Sequence, residues 1–122
     1  MSGARGSSSP RAADLPAVVT VVSFAVAGPP PSTAALRELL ERTAPRYRAV
    51  PGLLRKLYVG ADGIGGGVYE WRSRADAEAW FDARWHAQMR AAYGVEPQVE
   101  WFDVACVVDN VRGAIELGDL PP

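Results

Sequence analysis

The sequence predicts an α+β domain in the order β-α-β-β-α-β, with two helices packed on one four-stranded antiparallel sheet. Three observations lead to this prediction. Turn-forming residues separate four β-branched or aromatic segments, two other segments have helical periodicity, and 122 residues suit a single domain. Hydrophobic residues make up 48% of the chain, enough for a packed core and too many for a disordered protein.

The chain begins with a segment rich in Ser, Gly, Ala and Arg, and we predict a disordered leader over residues 1–14. The domain itself is expected over residues 15–110, and residues 111–122 are expected to form a C-terminal tail. A cationic start, an apolar run and Ala25-Val26-Ala27 also match a secretion signal, but Asp14 interrupts it and cleavage would remove a strand. We therefore expect a cytoplasmic protein.

The first strand is predicted over Val18 to Val26, where the glycine and prolines at 28–31 stop it. Ser32 or Thr33 then caps the first helix, which Pro45 ends or kinks. The apolar stripe of this helix consists of Ala35, Leu36, Leu39, Leu40 and Thr43.

Strands two and three form a predicted hairpin. The first of them covers Leu53 to Val59 and the second Gly67 to Trp71, with a glycine-rich turn at 61–66. Lys56 and Tyr58 share a strand face, but a six-residue turn does not fix which residues of strand three lie opposite them.

A second helical region is predicted from Arg74, capped by Ser73, to about Tyr93, where Gly94 ends it. If this helix is unbroken, Arg84 and Gln88 fall in the middle of its apolar face, and His86 points to solvent.

Asp82 offers a second possibility, because it could cap a fresh helical segment and reset the phase. Trp85, His86 and Met89 would then turn toward the sheet. The sequence leaves both possibilities open.

The fourth strand is predicted over Val99 to Val108. Like Val18 to Val26, it is apolar on both faces, whereas two helices cover only one face of a sheet. A second copy of the chain is the simplest cover for the other face, so we predict a homodimer that forms sheet against sheet.

Composition narrows the function. A net charge of −1 provides no electrostatic footprint for nucleic acid and no polybasic membrane patch. The single Cys106 excludes an internal disulfide, and the single His86 excludes a cluster of histidines around a metal. We expect neither a metal nor another cofactor.

Four segments together resemble the YdhR-like monooxygenases of the dimeric α+β barrel superfamily. They are Pro51-Gly52-Leu53-Leu54-Arg55-Lys56, Gly66-Gly67-Val68-Tyr69-Glu70-Trp71, Ser73-Arg74-Ala75-Asp76-Ala77-Glu78-Ala79-Trp80 and Val99-Glu100-Trp101-Phe102-Asp103-Val104. The resemblance covers roughly residues 50–110. It implies a ferredoxin-like fold, dimers, and a pocket between sheet and helices in each subunit. Relatives include cofactor-free quinone-forming oxygenases, polyketide cyclases, haem-degrading enzymes and simple binding modules. The pair Trp85-His86 is similar to the haem-degrading relatives, but their further active-site residues are not placed here.

The candidate catalytic residues are Arg84, His86, Asp103 and Lys56. His86 is a candidate for proton transfer near neutral pH, and Arg84 or Lys56 for stabilising an anion. Asp103 is either a base or the ion-pair partner of Arg84, and we favour the second. The candidate substrate-binding residues are Phe24, Tyr47, Tyr58, Tyr69, Trp71, Trp80, Trp85, Gln88, Met89 and Trp101.

An apolar pocket with few polar groups suits a flat aromatic, phenolic or polyketide-like substrate. The leading hypothesis is a small cofactor-independent monooxygenase that uses O₂. A polyketide cyclase or isomerase without redox chemistry is the first alternative, and a binding module without turnover is the second.

Overall fold

The computed structural model describes residues 15–118, so the predicted leader lies outside the described residues. The elements in chain order are β1 (Val18–Ala25), α1 (Thr33–Thr43), a 3₁₀ helix (Ala44–Ala49), β2 (Leu53–Ala61), β3 (Ile64–Trp71), α2 (Arg74–Trp80), α3 (Ala83–Tyr93), β4 (Gln98–Asp103), β5 (Cys106–Asp109) and β6 (Ala114–Leu117).

Strands β1 to β4 form one antiparallel sheet in the order β2-β3-β1-β4, which confirms the predicted ferredoxin-like fold. The structure also provides the hairpin register that the sequence leaves open. Lys56 lies opposite Tyr69, after an irregularity between Leu53 and Arg55. Since paired residues of antiparallel strands share a face, Lys56 and Tyr69 point to the same side of the sheet.

The core lies between the sheet and the helices α2 and α3. On β1, the side chains of Val18, Thr20 and Val22 are buried, while those between them are only partly buried. The core is completed by Tyr69, Trp71, Ala77, Phe81 and Trp85. The sheet therefore has one well-covered face, referred to below as the helix face.

The second helical region is broken, so of the two possibilities that the sequence leaves open, the structure has the new segment capped by Asp82. The chain leaves the helical conformation at Phe81, and the carboxylate of Asp82 accepts a hydrogen bond from the Trp85 backbone at 2.9 Å. This cap starts α3 with a new phase, which buries Trp85 and exposes Arg84 and Gln88.

The fourth strand is shorter than predicted, because β4 ends at Asp103. Its last contact with the sheet is a hydrogen bond from the Val104 backbone N–H to the Ala17 carbonyl. The chain then forms a separate hairpin of β5 and β6, which places a strand within the predicted tail.

The second face of the sheet, the open face, is apolar and lightly covered. Leu57, Val59, Ile64 and Phe102 are between 42% and 52% exposed there. An ion pair between Arg55 and Glu70, 2.8 Å long, lies on the same face. Within residues 15–118, no helix is long and apolar enough to cross a membrane.

Candidate functional site

Helix α1 has an apolar stripe but no buried residue. Leu36 and Leu39 remain 42% and 40% exposed, although the sequence predicts them to face the core. The helix begins at Ser32, whose hydroxyl accepts a hydrogen bond from the Ala35 N–H at 3.1 Å. The stripe therefore faces something other than packed protein.

A cavity of about 400 Å³, the α1 cleft, separates this stripe from the helix face of the sheet. Its apolar walls include Phe24, Leu36, Leu39, Leu40 and Tyr58. This volume falls within the ~300–1,000 Å³ that is usual for sites of small organic ligands. A flat hydrophobic molecule in the cleft would cover the exposed leucines of α1.

A second cavity of about 270 Å³, the Lys56 cavity, lies beside the α1 cleft. Tyr58 lines both cavities, so the two meet at this residue. The Lys56 cavity is also lined by Tyr47, Arg48 and residues 53–56. The site thus has an apolar compartment and a compartment with an amine.

Three tyrosine rings surround the amine of Lys56. Its Nζ lies 3.5 Å from the ring centre of Tyr47, 4.0 Å from Tyr58 and 4.8 Å from Tyr69. The hairpin register places Lys56, Tyr58 and Tyr69 on the helix face, and the 3₁₀ helix after α1 supplies Tyr47. Lys56 is also the only lysine in the chain, whose other basic residues apart from His86 are all arginine.

Burial changes the titration of these groups. It lowers the pKa of Lys56 to about 7, because the charged ammonium loses hydration. Burial also raises the pKa of Tyr47 and Tyr69, so both hydroxyls stay protonated at neutral pH. Lys56 forms no ion pair within residues 15–118, and the tyrosine faces are the groups that favour its ammonium form. Near neutral pH the amine can therefore give or take a proton.

Gly67, which does not stand out in the sequence as a site residue, makes room for the amine. A Cβ atom at this position would lie 3.1 Å from Cε of Lys56 and 3.2 Å from a ring carbon of Tyr69. The sequence carries a weak signal for this, since a glycine inside a strand often marks a close approach.

The predicted aromatic residues divide into site and core. Tyr47, Tyr58 and Tyr69 meet around Lys56, and Phe24 lines the α1 cleft. The others pack in or against the core: Trp71, Trp80, Trp85, Met89 and Trp101. Among these, the buried Nε1 of Trp80 has no hydrogen-bond partner, while its ring contacts that of Tyr47.

The expected pocket positions of Arg84 and Gln88 are wrong, because both side chains are exposed on α3. Asp103 is also exposed, at the end of an edge strand opposite Val18, so it is not a carboxylate held among apolar groups. In the described part of the chain no ion pair joins Arg84 to Asp103. Arg84 and Gln88 face solvent because the cap at Asp82 starts α3 in a new rotational position relative to α2.

His86 turns toward the protein but lines neither cavity. Its Nδ1 lies 2.8 Å from one carboxylate oxygen of Glu96, and Arg90 donates to the other oxygen at 2.6 Å. Hydrogen bonding to Arg90 and then to His86 lowers the pKa of Glu96. The contacts of His86 and Arg90 with Glu96 join α3 to the segment that follows it. They lie outside the α1 cleft.

The fold and the apolar cleft define a class: small α+β proteins with a cavity between sheet and helices. No protein-family profile matches the chain, and no curated protein matches it. Among solved structures, it is similar to a protein of unknown function from Nitrosomonas europaea, with 16% identity and a TM-score of 0.57. That match covers 78% of this chain and 95% of the other, and it supports the fold.

A more informative similarity is to the monooxygenase ActVA-Orf6 of Streptomyces coelicolor, solved in complex with nanaomycin D. Identity is 25% and the TM-score 0.52, over 72% of this chain and 87% of that one. SnoaB, a cofactor-independent oxygenase from Streptomyces nogalater, matches at 21% identity with a TM-score of 0.47, over 70% of this chain and 89% of that one. By the match to ActVA-Orf6, the chain is similar to one monooxygenase of known structure, while the narrower YdhR-like resemblance stays a prediction.

Proposed function

We propose that the protein is a small cofactor-independent monooxygenase that oxidises a phenolic or polyketide-like aromatic compound in the α1 cleft. The observation that carries the proposal is an apolar cleft that meets, at Tyr58, a second cavity lined by an amine that can lose its charge near neutral pH. Tyr58 lines the cleft, and its ring contacts Lys56 at 4.0 Å. The similarity to a monooxygenase solved with nanaomycin D supports the same kind of chemistry.

In this proposal the rings of the substrate lie among the leucines of α1, with an acidic hydroxyl toward Tyr58 and Lys56. The neutral amine of Lys56 takes the phenolic or enolic proton, and the resulting ammonium stabilises the anion. The tyrosine hydroxyls, which stay protonated, add hydrogen-bond donors.

The anion then transfers one electron to O₂, which gives a substrate radical and superoxide. Their recombination forms a carbon–oxygen bond, and the hydroperoxide loses water to leave a quinone. One oxygen atom of O₂ enters the product and the other leaves in water, so a phenol and O₂ yield a quinone and H₂O. The protein supplies a base, an anion site and an apolar enclosure.

Oxygen uptake and quinone formation with 1-naphthol and anthrone test this proposal. We expect one O₂ consumed per quinone, and a loss of about 100-fold in kcat/KM for Lys56→Met, the usual scale for a general base. Arg84→Ala is the matched control, because this exposed residue lies outside the site. Turnover under strict anaerobiosis, or unchanged oxidation by Lys56→Met, would overturn the proposal.

We also propose that the open face of the sheet pairs with a second copy of the chain. The support is its exposed apolar surface, on which Leu57, Val59 and Phe102 stand 42–50% exposed. Light scattering should show a dimer at micromolar concentration and a monomer for Phe102→Glu, with Arg84→Glu as the control. A monomeric parent protein would contradict the proposal.

A further inference from the structure

The amine of Lys56 has the surroundings of a nucleophile as well as those of a base. Its Nζ lies among three tyrosine rings and forms no ion pair within the described residues, and Lys56 lines a cavity of about 270 Å³. A lysine on a protein surface is instead hydrated and protonated. Amines held in apolar surroundings are those that attack carbonyl carbons in proteins.

We propose that Lys56 captures carbonyl compounds by forming a Schiff base with a 1,3-dicarbonyl ligand bound in the Lys56 cavity. The lone pair of Nζ attacks the carbonyl carbon to give a carbinolamine. The two amine hydrogens and the carbonyl oxygen leave as water, and a carbon–nitrogen double bond remains. No oxidant or reductant is needed.

The lining of the cavity favours a 1,3-dicarbonyl over a simple ketone. Arg48 lines the same cavity and provides a cation for the second oxygen of the ligand. Arg55 also lines it, but its guanidinium is engaged by Glu70 at 2.8 Å. A 1,3-dicarbonyl presents one carbon to the amine and one enolic oxygen to a cation, and polyketide-like compounds carry this unit repeatedly.

Two features prepare the amine for this step. The pKa of Lys56, lowered to about 7 by burial, leaves a large neutral fraction at neutral pH. The absence of a side chain at Gly67 leaves space beside Cε, where a Cβ atom would approach to 3.1 Å. The inference rests on the same lysine as the proposed oxygenase but not on O₂.

The test uses 2,4-pentanedione under nitrogen, with the full chain. Reaction of this diketone with an amine forms an enaminone, which is followed by its near-ultraviolet absorbance and located by peptide mass spectrometry. Since Lys56 is the only lysine, the N-terminal amine is the only competing primary amine and serves as an internal reference. Nα-acetyl-lysine is the free reference.

We expect the adduct on Lys56, formed at least 10-fold faster at neutral pH than on Nα-acetyl-lysine. Lys56→Arg should abolish it, and Gly67→Ala should slow it while the circular dichroism spectrum stays unchanged. Gly60→Ala is the matched control, because its added Cβ meets only a backbone oxygen at 3.3 Å. An adduct confined to the N-terminus, or a Lys56 rate equal to that of the free amino acid, would overturn the proposal.

The outcome is separable from that of the oxygenase proposal. An adduct on Lys56 in a protein that oxidises no phenol supports carbonyl capture and contradicts the oxygenase. Oxidation that depends on Lys56, without any adduct on Lys56, supports the oxygenase and contradicts carbonyl capture.

Discussion

The indole Nε1 of Trp71 donates a hydrogen bond of 3.0 Å to the hydroxyl of Thr20, and both residues are completely buried. The two side chains lie on neighbouring strands of the helix face, beneath the aromatic core. Thr20 is therefore the one polar residue among the buried residues of the described chain, and it is there because the indole needs an acceptor.

Thr20→Val should lower the free energy of unfolding by about 1–3 kcal/mol, because it keeps the shape but leaves the Trp71 N–H unpaired. Urea unfolding followed by fluorescence measures the loss. Thr20→Ser keeps the acceptor and removes a methyl group, so it separates hydrogen bonding from packing. A Thr20→Val protein as stable as the parent would show that the bond contributes nothing.

Lys56 should make stability depend on pH. The unfolded lysine titrates near 10.5, whereas burial lowers the pKa in the fold to about 7. Between these values the unfolded chain binds the additional proton, so the free energy of unfolding rises with pH across this window. Burial of the protonated amine destabilises the fold, and this destabilisation is complete below pH 7 and absent above pH 10.5.

Lys56→Met removes this destabilisation, so its stability relative to the parent should be highest at about pH 6 and should fall by about pH 9. Urea unfolding of both proteins at the two pH values provides the comparison. A difference that stays constant with pH would mean that Lys56 is as well solvated in the fold as in the unfolded chain.

Asp82→Ala should destabilise the protein by about 1 kcal/mol, because the Trp85 backbone N–H loses the acceptor that begins α3. The near-ultraviolet circular dichroism of the tryptophans should weaken, since the cap sets the position of the buried Trp85. Asp82→Asn retains a capping oxygen and should lose less. Equal stability of the alanine variant and the parent would contradict the role of the cap.

Arg84→Ala should change the free energy of unfolding by less than about 0.5 kcal/mol, as is usual for an exposed side chain. A buried ion pair broken at this position would instead cost about 3–5 kcal/mol. Chemical unfolding distinguishes the two, and a large loss would show that Arg84 is buried and paired rather than exposed on α3.

Leu39→Glu should weaken ligand binding with little effect on stability, because Leu39 lines the α1 cleft and is already 40% exposed. Glutamate retains good helix propensity. The increase in melting temperature produced by 1-naphthol should be smaller in this variant than in the parent. An identical increase in both proteins would place the ligand outside the cleft.

Periodicity and turn residues predict the order of strands and helices, because each element depends mainly on nearby residues. Asp82 shows the limit of this reasoning. It is compatible with a continuous helix and with a new cap, and only packing of Trp85 against the core decides between them. Predictions for Arg84, Gln88 and His86 depend on that choice.

The site is harder to predict than the fold for a related reason. Lys56 and Tyr58 belong to one strand face, but their meeting with Tyr69 depends on the hairpin register. The predicted turn over 61–66 leaves that register open and is wrong: the strands continue to Ala61 and from Ile64, and the two-residue turn Asp62-Gly63 between them fixes the register. The leucines of α1 have the periodicity of a core helix. Their exposure at the cleft follows from the distance between helix and sheet, which no local pattern encodes.

The central place of β1 also affects how the chain acquires its structure during synthesis. Val18 pairs with Asp103, so β1, the first strand within residues 15–118, must wait for β4, which is synthesised about 80 residues later. Contacts of such long sequence separation slow folding through the entropy of loop closure. Until β4 emerges, an apolar strand has one unpaired edge, and the nascent protein during this interval is a natural client for chaperones that shield such edges.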